Sequence, residues 1–240
     1  MSRAKRKEKY NRKQQDNTIN FNEAYKQRNI ELRPKSINQE KLVLNLLDGT
    51  QNIVVATGPA GTGKTYLAML AAIKAFRLGH CERIILTRPA VGVDDEKHGF
   101  LPGDLNSKME PWTRPLFDVL REYYSAKEVT AMLENQTIEI SPLAFMRGRT
   151  FKDAWIIADE MQNATPNQMK MLLTRLGDES MMAVTGDLNQ ADRLKDNGLI
   201  DFTRLLENSN QSCLDVVQFD KGDIERHDAV KAVLAVYGDD

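Results

Sequence analysis

The sequence is short of thiol and imidazole. Of 240 residues only Cys81 and Cys213 are cysteines, and only positions 80, 98 and 227 are histidines. Two isolated thiols cannot form a disulfide framework, and no Cys/His spacing of the zinc-binding kind can be written. Both thiols are expected to be buried and structural. Aromatics make up 7% of the chain. No apolar run approaches the roughly 20 residues that cross a bilayer, and the charged N-terminus has no apolar stretch of the signal-peptide kind. The expectation is a soluble, cytoplasmic protein with no membrane partner.

Hydrophobic residues, at 41%, suffice for a real core. Net charge is −1, but it is unevenly placed: residues 1–35 hold eleven Lys or Arg against Glu8, Asp16, Glu23 and Glu31. The stretch MSRAKRKEKYNRKQQDNTIN has few apolar residues and no periodicity, so residues 1–35 are expected to be a flexible basic arm. It is either a solvated tail or a contact to nucleic acid. Residues 36–240 form the folded domain.

From residue 36 helical and strand patterns alternate, the rhythm of an α/β domain with parallel strands. SINQEKLVLNLLDG opens on a capping serine, puts Leu42, Val43, Leu46 and Leu47 on one face and stops at Gly49. Strands are expected at 52–57, 82–89, 136–142, 153–160, 180–187 and 213–219. Helices are expected over Lys64–Leu78, through PWTRPLFDVLREYY, over 165–177 with Thr165 as cap, Pro166 first and Gly177 as stop, and at the close through IERHDAVKAVLAVY. The segment Val91–Asp104, rich in Gly, Asp and Pro, is expected to be a loop.

Between the first strand and second helix lies GPAGTGKT, which fits G-x-x-x-x-G-K-[ST] at Gly58, Gly63, Lys64 and Thr65. Glycines let backbone amides turn inward around an anion. Lys64 would reach the β- and γ-phosphates, and the Thr65 hydroxyl would hold Mg2+. The helix that follows aims its positive end at the same place. The loop and its neighbour, Gly58, Pro59, Ala60, Gly61, Thr62, Gly63, Lys64, Thr65 and Tyr66, are therefore the candidate cradle for a nucleotide.

A magnesium nucleotide needs a carboxylate for the metal's water shell, placed here on a neighbouring strand, and hydrolysis needs a second to orient the attacking water. WIIADE offers Asp159 for the metal and Glu160 for the water. A base at position 160 favours water as acceptor, hence an ATPase over a kinase. The next strand ends in TGDLNQ, where Gln190 can sense the γ-phosphate. No N-K-x-D guanine-reading tetrad is present, which points to adenine, and the Gln39 amide is placed to read its edge.

GPAGTGKT, TRPAVGVDDEKHGFLPGD, PLAFMRGRT, IIADEMQNAT, TGDLNQAD and IERHDAV, in this order, closely resemble the PhoH-like proteins of bacteria and their viruses. The resemblance runs from about residue 36 to 237 and implies a single RecA-like ATPase core similar to the first domain of superfamily 1 helicases. It implies ATP as ligand and, from some members, a hexameric ring. By the helicase comparison it assigns adenine to Gln39, metal and water to Asp159 and Glu160, and the γ-phosphate to Gln190. Arg88 falls where helicases grip a single strand. Ribonuclease activity, which belongs to members with an added PIN-type domain, is not carried over, because no acidic cluster precedes the loop.

P-loop hydrolysis generally uses an arginine to stabilise the transferring phosphate, worth about 10³ to 10⁵ in rate. With one domain, that arginine comes from the chain's own loops or from a neighbour in a head-to-tail ring, where each interface completes one site. Arg226 is the favoured candidate, reaching a neighbouring subunit. Arg147 and Arg149 flank Gly148 in a fork suited to phosphate of nucleotide or nucleic acid. His98 and His227 are expected to be structural. The leading expectation is an oligomeric ATPase working on RNA or single-stranded nucleic acid. A nucleotide switch that closes around a protein partner and a P-loop kinase are the alternatives.

Overall fold

The expected strands at 52–57, 82–89, 153–160 and 180–187 centre on short apolar runs, and such runs need cover on both sides. The computed structural model supplies it. Residues 29–89, 105–191, 196–207, 209, 211–226 and the positions 229, 230, 233 and 236 are described. Most of the basic arm, the segment with Asp94, Asp95, Glu96 and His98, and His227 lie outside the described residues. The elements are α1 (Ile37–Leu47), β1 (Ile53–Thr57), α2 (Lys64–Arg77), β2 (Arg83–Thr87), α3 (Leu105–Tyr123), α4 (Ala126–Glu134), β3 (Ile138–Ile140), β4 (Ala154–Ala158), α5 (Pro166–Leu173), β5 (Met181–Gly186), α6 (Gly198–Glu207) and β6 (Leu214–Gln218). Short 3-10 turns lie at Leu143–Met146, Met161–Asn163, Leu188–Gln190 and Lys221–Asp223.

The six strands form one parallel sheet in the order β3-β2-β4-β5-β1-β6. Because side chains alternate along a strand, the inner strands feed two cores. Val54, Ala56, Ile84, Leu86 and Ile157 join one cluster with α1 to α4, while Val55, Ile85, Ile156, Met182 and Val184 join the other with residues of α5 and α6. Helix α2 is buried almost all round, with Ala68 through Ile73 at 1% exposure or less, so it is the central helix of its layer. Each fully buried Leu or Ile there contributes about 1.5–3 kcal/mol. This is the RecA-like α/β architecture. No helix among the described residues is long and apolar enough to cross a membrane.

Order matters for the site. The carboxylate strand β4 was expected beside the loop strand β1, yet β5 lies between them. The cleft therefore spans three strand ends, and β5 contributes side chains of its own.

Several local expectations are revised. Leu47 is 41% exposed, and buried Gln39 takes its place with Leu42, Val43 and Leu46 on the inward face of α1. Helix α5 stops at Leu173, before Gly177, and the Thr174 hydroxyl that follows donates to the Lys170 and Met171 carbonyls. Arg175 then ties the exit to the Arg149 carbonyl. Helix α3 begins at Leu105, earlier than Pro111. Two helices were not foreseen: α4, closed by a reciprocal Ser125/Glu128 cap, and α6, whose Leu199 and Ile200 amides donate to the Asn197 side chain. Cys81 is buried, which pushes its thiol up to about 11, whereas Cys213 is exposed, against expectation. Within the closing stretch, described positions 229, 230, 233 and 236 are helical.

Candidate active site

Strand β1 ends at buried Thr57, and the chain turns through Gly58 to Gly63 into α2. Gly58 has φ +137, and a Cβ there would stand 2.4 Å from the Phe219 carbonyl oxygen, so only glycine fits against the exit of β6. Gly63 takes the N-cap of α2 in the left-handed region at φ 81, with no side chain capping the helix and no acid in its first turn. The first N–H groups of α2 are thus left without a side-chain acceptor at the positive end of a helix. That is the physical requirement for holding an anion.

Lys64 is folded back over its own loop. Its Nζ donates to the Gly58 and Pro59 carbonyls, both at 2.7 Å, and to the Thr62 hydroxyl at 3.2 Å. Burial pulls the amine below its usual pKa, opposed by the carboxylates of Asp187, Asp159 and Glu160. Next along the helix, the Thr65 hydroxyl donates to Asp159 Oδ1 at 2.8 Å, and Thr185 of β5 donates to the same oxygen at 2.6 Å. Two hydroxyls and a carboxylate meeting on the cleft wall form a hard-oxygen set. It fits Mg2+, which prefers a few protein oxygens supplemented by water and substrate phosphate.

Glu160 caps the turn after β4 with φ 55 and ψ 35, a left-handed backbone that a non-glycine residue adopts at some cost. Its Oε1 pairs with Arg88 Nη2 at 2.8 Å, and its Oε2 accepts from Gln162 Nε2 at 2.5 Å. Gln162 is itself pinned. It is 1% exposed, its Oε1 accepts from the Asp187 amide, and its carbonyl accepts from Asn197. Gln190 completes the rim, in the 3-10 turn whose backbone closes on the Asp187 carbonyl. The cleft holds about 290 Å³ and is lined from the loop side by Ala60, Gly61, Gly63, Lys64, Thr65 and Tyr66, and from the strand ends by Asp159, Glu160, Gly186, Asp187 and Gln190.

The expected arginines and Gln39 are placed differently. Gln39 is 4% exposed, accepts from the Lys35 amide through Oε1 and donates from Nε2 to the Thr62 carbonyl at 3.1 Å. It buttresses the loop from behind, with both ends of its amide facing protein. Arg149 makes a two-pronged ion pair with Glu139, lies 4.5 Å over the Phe151 ring and is held charged by that carboxylate. It is an anchor for the β3 edge and does not reach the cleft. Arg147 is exposed on the adjacent turn. Arg226 donates to the Ala60 carbonyl of its own loop at 3.2 Å. Its neighbour Glu225 donates a backbone N–H to Gly61, so this segment is zipped along the loop's outer side.

Three contributors were not foreseen. Asp187 accepts from the Ala60 amide at 2.9 Å and is the strongest carboxylate acting on Lys64. The signal for it was present, an acid closing an apolar strand just as Asp159 does. Thr185 was hidden because its role depends on β5 standing between β1 and β4. Gln162 carried no signal at all, since its partners come together only in the fold.

A glycine-shaped phosphate loop on an uncapped helix, facing a threonine–aspartate pair and an adjacent glutamate on a parallel sheet, defines a P-loop NTPase. The chain belongs to the PhoH-like protein family, whose description matches residues 31–238. It is 44% identical over 208 residues to a PhoH-like protein of Bacillus subtilis (strain 168), covering 86% of this chain and 64% of that one. It is 38% identical over 192 residues to Protein PhoH of Escherichia coli (strain K12), covering 78% of this chain and 53% of that one. Against these two relatives the chain thus spans between 53% and 64% of their length. Among solved structures, a Sulfolobus solfataricus SWI2/SNF2 ATPase core in complex with dsDNA aligns with a TM-score of 0.44 at 14% identity, covering 80% of this chain and 45% of that one.

Proposed function

We propose that the protein hydrolyses ATP with Mg2+ and works on RNA or single-stranded nucleic acid as an assembly of identical subunits, a hexameric ring being the expected form. The observation that carries hydrolysis is the pairing at the end of β4. Asp159 meets the P-loop threonine at 2.8 Å while the next residue, Glu160, is presented separately on a left-handed backbone. One carboxylate serves the metal and the other remains for water. Thr65 and Asp159 would hold Mg2+, which would supply charge neutralisation to the nucleotide phosphates. Lys64 leaves its loop carbonyls for the phosphates, and the N-terminus of α2 receives the β-phosphate.

In the reaction a water oxygen bonds to the γ-phosphorus as the bond from that phosphorus to the β,γ-bridging oxygen breaks. The electron pair leaves on ADP, and the water proton passes by way of Glu160 to the released phosphate. Gln190 on the rim is placed to orient the water. Support for assembly comes from the exposed Leu44, Leu47 and Leu78, an apolar surface on the α1 and α2 layer. Arg226 lies against its own loop, which favours action within one subunit.

The test is γ-labelled ATP incubated with the purified chain, with and without an unstructured RNA, in parallel with size-resolved light scattering. We expect label only as free phosphate, faster with RNA, in a species larger than one chain. Label on an acceptor would establish a kinase. Free phosphate with no response to any nucleic acid would favour the switch that closes on a protein partner. Mixing Arg226→Ala with Lys64→Ala subunits separates the arginine roles: no recovered activity is expected for an arginine acting in its own chain, and recovery would restore the neighbour reading.

A further inference from the structure

The proposed water-activating residue lines the cleft with its side chain 33% exposed, yet each of its oxygens already carries a partner. Both oxygens of Glu160 are engaged, one by Arg88 at 2.8 Å and the other by Gln162 at 2.5 Å. Lone pairs directed at a guanidinium and an amide are not directed at a nucleophile, and general-base action requires hydrogen-bond reach of the proton to be taken. The two holders differ in kind. Gln162 is fixed, being fully buried and bonded through its own side chain and backbone to Asp187 and Asn197. Arg88 is on a long side chain at the exit of β2 that is 29% exposed. It is the half that can leave.

The backbone around Arg88 says what draws it away. Its carbonyl accepts from Leu143, the first residue of the 3-10 turn Leu143–Met146 at the exit of β3. That turn carries Phe145, 61% exposed, with the exposed Arg147 two residues on. An exposed aromatic ring beside a guanidinium is a stacking platform next to a phosphate contact, the pairing by which single strands are held without regard to sequence. The turn lies at the carboxyl ends of the strands, the same end of the sheet as the nucleotide cleft. Beside Arg88 the hydroxyl of Thr87 is buried and has no hydrogen-bond partner among the described residues, although the Thr87 carbonyl already binds the Asp159 amide.

We propose that Arg88 is a positioning residue that holds Glu160 away from the attacking water until a backbone phosphate of a single strand, stacked on Phe145, takes its guanidinium. ATP turnover is then low in the free enzyme and rises on nucleic-acid binding without any change in the nucleotide cradle. This rests on the ATPase reading above, and deepens it by making one ion pair the link between the two ligands.

The experiment compares wild type with Arg88→Ala, measuring kcat and KM for ATP with and without a 20-nucleotide oligouridine. Arg88→Met, which keeps the aliphatic stem, replaces the alanine variant if thermal unfolding shows the latter misfolded. Without oligonucleotide, kcat of the variant is expected to rise about fivefold over wild type at unchanged KM, the ratio that about 1 kcal/mol of ion-pair energy sets. Oligouridine should stimulate wild type and leave the variant at its raised rate. Phe145→Ala should raise the oligouridine concentration needed for half-maximal stimulation.

A variant as slow as wild type, or slower, overturns the latch, and slower turnover at unchanged KM assigns Arg88 to the γ-phosphate instead. A faster variant beside a wild type that ignores oligouridine upholds the hold on Glu160 and overturns nucleic acid as its release. The two failures are thereby told apart.

Discussion

The same strands finish in opposite chemistry at the two ends of the sheet. At their carboxyl ends stand Thr57, Thr87, Asp159 with Glu160, and Asp187, with left-handed backbone at Glu160 and three glycines of the loop at positive φ. At their amino ends Leu46, Leu78, Cys81, Trp155 and Met181 line a second cleft of about 360 Å³, mostly apolar. The carboxylates that face the cleft and the left-handed glycines of the loop gather at the first end, while the second carries apolar packing, left-handed backbone at Gln136, Asp153 and Glu179, and the indole N–H of Trp155. Such a division lets one end change its hydrogen bonds without loosening the fold. Substitutions at the two ends should then separate chemistry from stability.

The sharpest break comes from Glu160→Gln, which keeps the shape and removes the base. We expect ATP to bind as before and turnover to fall by about 10² to 10⁴. Nucleotide binding by calorimetry against phosphate release checks it, and equal loss of both would merge the roles of Glu160 and Lys64. At the other end, Trp155→Ala should cost about 3–5 kcal/mol of stability in urea unfolding while the folded fraction binds ATP normally. Weakened binding there would mean that the two ends are coupled. Lys64→Ala should weaken ATP binding about 100-fold, as loss of one partner from a charged contact does, with little change in the unfolding midpoint.

A smaller effect concerns pH. Burial lowers the Lys64 pKa, so the ammonium is lost at lower pH in the folded protein than from an ordinary lysine. The sign follows directly: ATP affinity is full below the lowered value and falls as pH rises through it, by up to about tenfold per unit. Stability of the nucleotide-free protein moves the opposite way over the same window, rising between the lowered value and the ordinary 10.5, because the unfolded chain then holds more protons. Titration of a fluorescent ATP analogue between neutral pH and 10 reads the first. Smallest of all is Trp155→Phe. The indole N–H is buried without a partner among the described residues, so its removal should change stability by less than about 1.5 kcal/mol.

What the sequence disclosed follows the range of the physics involved. GPAGTGKT, the Thr165–Pro166 helix start and the apolar strands are set by neighbours a few residues apart, and they stand in the structure as read. Sheet order is set by contacts across the whole chain, so β5 between β1 and β4 was out of reach, and Thr185 with it. Gln39, Arg149 and Arg226 were read by residue type and motif. Their observed roles come from Thr62, Glu139 and Ala60, partners 23, 10 and 166 residues away. Helix α4 had its signal in plain view, Ser125 followed by Glu128, the reciprocal cap that the structure shows.

The posture of Lys64 has one further consequence. Its three oxygen partners must be given up before any phosphate is gripped. An arriving anion therefore competes with a site that already satisfies itself. A ligand with several phosphates brings to that competition contacts with the amides of α2 as well as with the lysine.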